Sequence, residues 1–201
     1  MSVLSPAKQD ALLEIGNIGA GHAASSLATL LQRPISLSTP TIATPPLSSL
    51  LAEPQRTVVV VDMGVEGDVR GHILVLFDRE AANELAIAFV RRMCRIENPS
   101  EADIESTFQE FANIIAGSYL AALCQLTGLA LNLMTPLVLS GTRASVLPQL
   151  ASLEDDQNVL VIDSHFISEE RVVPGQIVLI PDETSIESLL APLAAKARVE
   201  L

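Results

Sequence analysis

Two segments of the sequence decide its fold: EIGNIGAGHAASSLATLLQRPISLSTP (residues 14–40) and EFANIIAGSYLAALCQLTGLALNLMTP (residues 110–136). They align without a gap, and 10 of their 27 positions are identical. Ordinary amino-acid composition would give roughly two identities by chance. The sequence therefore predicts an internal duplication, in which each half of the chain is one copy of the same unit.

The duplication continues downstream of these segments. GHILVLFD at 71–78 resembles GQIVLIPD at 175–182, and each follows another β-type run, VVVVD at 58–62 or VLVID at 159–163. The spacing between the two runs differs between the halves, which places the length change in a hairpin turn.

The pattern of apolar and turn-forming residues predicts the order αβββα in each half. For the first half it predicts helix 5–31, a strand at 34–43 that is broken up by prolines, strands 57–65 and 69–77, and helix 79–94. For the second half it predicts helix 101–127, strands 129–139, 158–167 and 172–180, and helix 184–196. Ser5 is expected to cap the first helix, with Pro6 at its first position.

Three strands with one apolar face are rarely stable alone. We therefore expect the two repeats, residues 5–97 and 101–197, to share one sheet. The predicted fold class is α/β (α+β), a single domain over residues 1–201 with internal pseudo-two-fold symmetry. Its long helices would pack on a six-strand sheet. The short join between the repeats contains no flexible, low-complexity linker.

Composition excludes several classes of protein. The formal net charge of −12 repels phosphate backbones and anionic lipids, so neither nucleic acid nor a membrane is expected as a partner. The only cysteines, Cys94 and Cys124, lie in apolar contexts that favour neither a disulfide nor a CxxC motif. The first residues lack the pattern of a signal peptide, and we expect a cytoplasmic protein.

One uncharged stretch, residues 111–142, is long enough to suggest a membrane span. It contains several polar residues and Pro136, and its counterpart in the first half, residues 15–46, carries Arg33. A buried helix that runs into a buried strand is therefore the better interpretation.

The repeated helix carries the same polar pattern in both halves, [Asp/Ser]-x3-Glu-x2-Asn-x22-Pro. Its residues are Asp10, Glu14, Asn17 and Pro40 in the first copy and Ser106, Glu110, Asn113 and Pro136 in the second. Positions i, i+4 and i+7 of a helix share one stripe, so the first three residues of each copy lie together. A single polar stripe is usually a solvated face, but repetition of Glu and Asn in the same order favours a function.

Small residues follow each Asn. They are Gly19, Ala20 and Gly21 in the first copy and Ala116, Gly117 and Ser118 in the second. Glycine inside a helix costs about 1 kcal/mol relative to alanine. Two explanations stay open: close packing between helices of this chain, or close approach of another molecule to the helix backbone.

The chemistry available to a Glu–Asn pair is positioning. A carboxamide donates and accepts hydrogen bonds, so it can hold a water in line for attack. A carboxylate one turn away can pair with a lysine of a docked partner. The three histidines, His22, His72 and His165, match no metal-ligand spacing and are interpreted as surface or packing residues.

The doubled motif resembles that of the CheC family of chemotaxis phosphatases, part of the CheC–CheX–FliY group, and the resemblance covers nearly the whole chain. It implies a phosphatase that acts on the aspartyl phosphate of a CheY-type response regulator. Asn17 and Asn113 would orient the attacking water, while Glu14 and Glu110 would contact the regulator's invariant lysine.

The resemblance also implies supporting roles and partners. Asp10 and Ser106 would shape the helix surface, and Pro40 and Pro136 would turn the strand that supports it. The protein would need no cofactor of its own, because Mg2+ would belong to the regulator. CheD, the receptor deamidase, is a further expected partner, and we expect a monomer.

Both motifs are intact, which predicts two competent sites. Their surroundings differ, since the first helix has Gly16 and Gly19 where the second has Ala112 and Ile115. The second helix is therefore expected to be stiffer and more apolar, which allows the two sites to differ in activity.

Two other functions are compatible with parts of the sequence. A non-catalytic module that binds CheY or CheD, or that belongs to the flagellar switch, is the main alternative. Nucleotide binding is the other, because Gly19-x-Gly21-x-x-Ala24 resembles a dinucleotide fingerprint. That fingerprint requires a preceding strand, whereas residues 5–18 are predicted to be helical.

Overall fold

The computed structural model describes residues 6–32, 34–51, 57–150, 159–168 and 172–182, together with 185, 188, 189, 191 and 192. The first half contains α1 (Pro6–Leu31), β1 (Ile35–Leu37), β2 (Thr41–Ala43), α2 (Leu47–Leu51), β3 (Thr57–Gly67), β4 (Gly71–Asp78), α3 (Arg79–Phe89) and a π-helical turn (Val90–Cys94). The second half contains α4 (Glu101–Thr127), β5 (Leu131–Leu133), β6 (Leu137–Thr142), α5 (Arg143–Val146), a 3-10 turn (Leu147–Gln149), β7 (Leu160–Ser168) and β8 (Val172–Pro181).

The strands form one eight-stranded antiparallel sheet, within the part of the chain that the structure describes. Its main path runs β1-β7-β8-β4-β3-β5, with β2 also paired to β7 and β6 also paired to β3. The two halves are interlocked in this order. β1 and β2 of the first half pair with β7 of the second, and β5 and β6 of the second half pair with β3 of the first. Neither half can therefore complete its sheet alone.

The register of the two central strands, β4 and β8, defines the symmetry of the domain. In the pairing of β4 with β8, Leu74 lies opposite Val178. When GHILVLFD is aligned with GQIVLIPD, Leu74 is also the repeat counterpart of Val178. The pseudo-two-fold axis therefore passes through this residue pair, perpendicular to the sheet. Such a rotation keeps each face of the sheet in place, so α1 and α4 share one face and run in opposite directions across it.

Apolar residues alternate along the strands and supply a core to each face of the sheet. On one face α1, α3 and α4 pack over Val59, Val61, Met63, Ile73 and Val75. On the other face α2, α5 and the 3-10 turn cover a smaller core that includes Val58, Val60, Leu74, Leu76 and Val178. The long helices thus lie on the better-covered face.

Local signals explain the bounds of α4. At its start, the Ser100 hydroxyl accepts a hydrogen bond from the Asp103 N–H, and the Asp103 carboxylate accepts one from the Ser100 N–H at 2.8 Å. This reciprocal arrangement is a capping box. At its end, Gly128 takes a left-handed conformation with φ of 76°, which glycine adopts without steric cost.

The structure confirms the predicted fold class and the helix at residues 101–127. The predicted six-strand sheet is wrong, because the strands expected at 34–43 and 129–139 are each divided in two. Pro40 and Pro136 lie in the divisions, where proline cannot donate a hydrogen bond to the ladder.

Two further differences concern short elements, and some predicted elements lie outside the described residues. The helix expected at 79–94 changes to a π-helical turn at Val90, and the short helices α2 and α5 were not predicted. The predicted cap at Ser5 and most of the helix predicted at 184–196 lie outside the described residues. The bounds given for the two repeats stay predictions.

A glycine under a tyrosine brings α1 and α4 together. A Cβ atom at Gly19 would lie 2.6 Å from Cδ1 of Tyr119, so only glycine fits beneath this ring. The repeat counterparts of these residues are Ile115 and Ala23, which are 1% and 0% exposed. On each side of the pseudo-two-fold axis, a large residue of α4 therefore lies opposite a small residue of α1.

We expect Gly19→Ala to lower the free energy of unfolding by about 1–3 kcal/mol, because its methyl group overpacks the Tyr119 contact. Urea unfolding measures the change. The control is Gly21→Ala, the same substitution on the same helix, where nothing lies within 4 Å of the added Cβ. The control should raise stability by up to about 1 kcal/mol through helix propensity. Similar shifts for the two variants would contradict the packing described above.

Candidate functional site

Both polar stripes lie on the surface of the domain. The exposed side chains are Asp10, Glu14 and Asn17 on α1 and Ser106, Glu110 and Asn113 on α4. In each copy the structure brings together the three residues that the sequence spacing grouped. Exposure leaves the carboxylate and the amide free to enter a cleft of another protein.

The two stripes face opposite flanks of the helix pair. Successive residues of a helix are rotated by about 100°, so residues two apart point about 200° from each other. Gly19, which contacts α4, is two residues after Asn17, and Asn17 therefore points away from α4. By the symmetry, Ile115 faces α1 and Asn113 points away from α1. The structure consequently forms two separate Glu–Asn sites, not one combined pocket.

Pro40 supports the first site from below. It is buried in the connection between β1 and β2. A Cβ atom at Gly16 would lie 3.1 Å from Cγ of Pro40 and 3.6 Å from Cδ1 of Ile42. Gly16 lies in the helical turn between Glu14 and Asn17, so the proline packs directly under the turn that carries both.

The second site differs from the first in the residues around it. Pro136 is half-buried in the connection between β5 and β6, and Ala112 takes the place of Gly16. Ala112 and Ile115 are both buried. The differences between the helices therefore change the packing beneath the second site. The expected differences in stiffness and in activity between the two sites stay predictions.

The glycines of the small-residue runs divide into two kinds. Gly16 and Gly19 pack against Pro40 and Tyr119, as described above. At Gly21 and Gly117 an added Cβ atom would meet nothing within 4 Å, although each glycine lies in the interior of a long helix. Internal packing therefore explains the first two glycines and leaves the second two without an explanation.

A second polar pair, which the sequence reasoning missed, lies on the opposite face of the sheet. Nδ1 of His72 donates a hydrogen bond to Oδ1 of Asp62 at 2.9 Å, and Asp62 is only 8% exposed. The hydrogen bond raises the pKa of His72 above its usual value, although partial burial acts in the opposite direction. The register of β3 with β4, which brings the two residues together, was the signal needed to find this pair.

The remaining histidines and the long helices of the described ranges meet the requirements of neither a metal site nor a membrane span. His22 and His165 are exposed. Among the described residues, no group of three or more His, Cys, Asp or Glu side chains is arranged to hold a metal ion. Likewise, none of the helices in the described ranges combines the length and apolarity needed to cross a membrane.

Family models match both halves of the chain. The model described as chemotaxis phosphatase CheX matches residues 58–163, which include the second Glu–Asn stripe. The model of the CheC-like family matches residues 8–43, which contain the whole first motif. These matches define the class of protein as chemotaxis phosphatases of the CheC and CheX type.

One curated relative specifies the family further. The CheY-P phosphatase CheC of Bacillus subtilis (strain 168) is 31% identical over 214 residues, which cover 97% of this chain and 99% of that protein. The chain therefore belongs to the CheC family.

Solved structures agree on the fold. FliY from Thermotoga maritima matches with a TM-score of 0.78 at 21% identity, covering 97% of this chain and 100% of that one. The FliM middle domain from H. pylori matches with a TM-score of 0.64 at 12% identity, covering 94% of this chain and 99% of that one. At these identities the likeness concerns the architecture alone.

The His72–Asp62 pair predicts a pH dependence of stability. Because the folded-state pKa of His72 is raised, the pair stabilises the fold fully below the unfolded pKa of about 6.5. This stabilisation is lost as the pH rises through the folded-state pKa. We expect the free energy of unfolding of the wild type to fall more between pH 6 and 8 than that of His72→Gln. His165→Gln, at an exposed histidine, is the control, and superimposable profiles for wild type and His72→Gln would refute the prediction.

Proposed function

We propose that this protein is a phosphatase that hydrolyses the aspartyl phosphate of a CheY-type response regulator. The observation that carries the proposal is the duplicated, exposed Glu–Asn stripe on α1 and α4. Membership of the CheC family supports it, since the Bacillus subtilis relative named CheY-P phosphatase matches over nearly the full length of this chain.

Asn17 and Asn113 would act by positioning water. An asparagine amide takes up no proton at neutral pH, but its oxygen accepts and its NH2 group donates hydrogen bonds. Hydrolysis of a phosphoryl group depends mainly on positioning and electrostatic stabilisation. An amide on a convex helix surface can enter the regulator's active site and hold a water opposite the leaving carboxylate.

Glu14 and Glu110 would align the two proteins. Each carboxylate lies one helical turn before the Asn, so it can accept a charge-assisted hydrogen bond from a lysine beside the phosphoaspartate. Such a pair becomes stronger when the interface excludes water. The contact would fix the rotation of the helix in the regulator's cleft and thereby the place of the amide.

In this proposal Mg2+ remains with the regulator, and this chain supplies the amide and the carboxylate. CheD stays a predicted second partner. The monomeric state and the cytoplasmic location also stay predictions.

The directions of the two stripes determine whether both sites can be occupied at the same time. Because Asn17 and Asn113 point to opposite flanks of the helix pair, a regulator docked on one flank leaves the other open. We therefore infer that the sites act independently and that their rates add.

Substitution of the two asparagines tests the mechanism. We expect Asn17→Ala and Asn113→Ala each to retain the activity of the other site. The double variant should lose about 100-fold or more of kcat/KM, the order of effect of removing one transition-state hydrogen-bond donor. The measurement is the decay of phosphorylated regulator, with response regulators of the same organism as substrates.

Asn98→Ala is the matched control, because Asn98 is an exposed asparagine in the connection that precedes α4. It should leave the decay rate unchanged, and thermal unfolding should show that all variants fold. Full activity in the double variant would show that the proposed mechanism is wrong.

The alternative is a binding or scaffold module of the chemotaxis or flagellar switch system. Its support is the shared architecture with the FliM middle domain. Under this alternative the protein would bind the phosphorylated regulator or CheD without faster loss of phosphate. Single-turnover decay with this protein in excess over regulator separates the two, since only a phosphatase shortens the lifetime of the phosphoryl group.

A further inference from the structure

Each Glu–Asn stripe continues into a glycine with open space above it. Gly21 and Gly117 come four residues after Asn17 and Asn113, on the same side of the helix. A Cβ atom at either position would meet nothing within 4 Å. Neither glycine has a positive φ, which among the described glycines is found at Gly67, Gly71 and Gly128. Neither the backbone conformation nor packing among the described residues calls for glycine here.

Comparison of the repeats separates these glycines from the packing glycines of α1. Gly16 and Gly19 pack against other parts of the chain, and the second repeat replaces both with larger residues. Gly21 and its counterpart Gly117 are identical, although an alanine methyl group at either would meet nothing within 4 Å and would favour the helix. Contacts among the described residues therefore do not explain why both repeats have glycine at this position.

The short side chain of asparagine offers a reason for glycine at the next position of the stripe. Asn has one methylene group between its α-carbon and its amide, so a water held by Asn17 or Asn113 lies close to the helix. The surface of the partner must come equally close. The next position on the stripe is only about 6 Å away, and a side chain there would hold the partner off the helix.

We propose that Gly21 and Gly117 are positioning residues, at which the main chain of the phosphorylated receiver domain packs directly on the helix. This inference rests on the proposed function and deepens it. The glycine, the amide and the carboxylate would then form three successive contacts along each stripe, and the glycine would set the depth to which the amide enters the regulator's active site.

The test introduces one methyl group at one working site. The Asn113→Ala variant keeps only the first site active and serves as the parent. Gly21→Ala is added to this parent. The reciprocal pair combines Asn17→Ala with Gly117→Ala. Steady-state decay of phosphorylated regulator gives KM and kcat, and thermal unfolding gives Tm.

We expect each added alanine to raise KM at least tenfold while Tm rises by about 2–4 °C, because the alanine favours the helix but obstructs the partner. Ser26→Ala in the Asn113→Ala background is the matched control. Ser26 is exposed on α1, and its nine-residue separation from Asn17 places it about 180° around the helix. It should raise Tm without changing KM.

The outcomes separate this inference from the proposed function. If the single-site parent hydrolyses the phosphoryl group and Gly21→Ala leaves KM within twofold, the inference is overturned and the proposed function stands. If Gly21→Ala lowers Tm together with activity, the glycine has a role in folding and the inference is again overturned. If the wild type does not shorten the lifetime of the phosphoryl group, the proposed function itself fails.

Discussion

The pairing of β4 with β8 is the interaction on which the rest of the structure depends. It places the pseudo-two-fold axis between Leu74 and Val178, and every other relation between the halves follows from that axis. The strands β3 and β7 flank the central pair, and each accepts the short strands of the opposite half. The same rotation sets α1 and α4 side by side in opposite directions and turns their polar stripes outward.

The sequence predicted the elements that have strong local signals. α4 was predicted at its observed bounds, where the structure shows a capping box at Ser100 and a left-handed Gly128. The sequence predicted that prolines break up the strand at 34–43, but it did not predict the division of the strand at 129–139, where Pro136 lies between β5 and β6. The helices α2 and α5 are too short for periodicity to reveal.

The candidate site was predictable in part, for a physical reason. Helical spacing alone places Glu14 beside Asn17, so each stripe could be assembled from the sequence. The direction of a stripe depends on which side of the helix faces a neighbour, and that follows from the contact of Gly19 with Tyr119. The His72–Asp62 pair likewise depends on strand register, which the sequence leaves open.

Interlocking of the strands gives this chain an unusual order of assembly during synthesis. β1 has its partner in β7, with Ile35 opposite Ser168, and β4 has one of its two neighbours in β8. An emerging first half therefore exposes sheet edges that stay open until β7 and β8, residues 160–181, have been made. Contacts so distant in sequence close slowly, and open edges are sites of misassembly. Before β7 and β8 emerge, the nascent first half is consequently open to edge-to-edge misassembly.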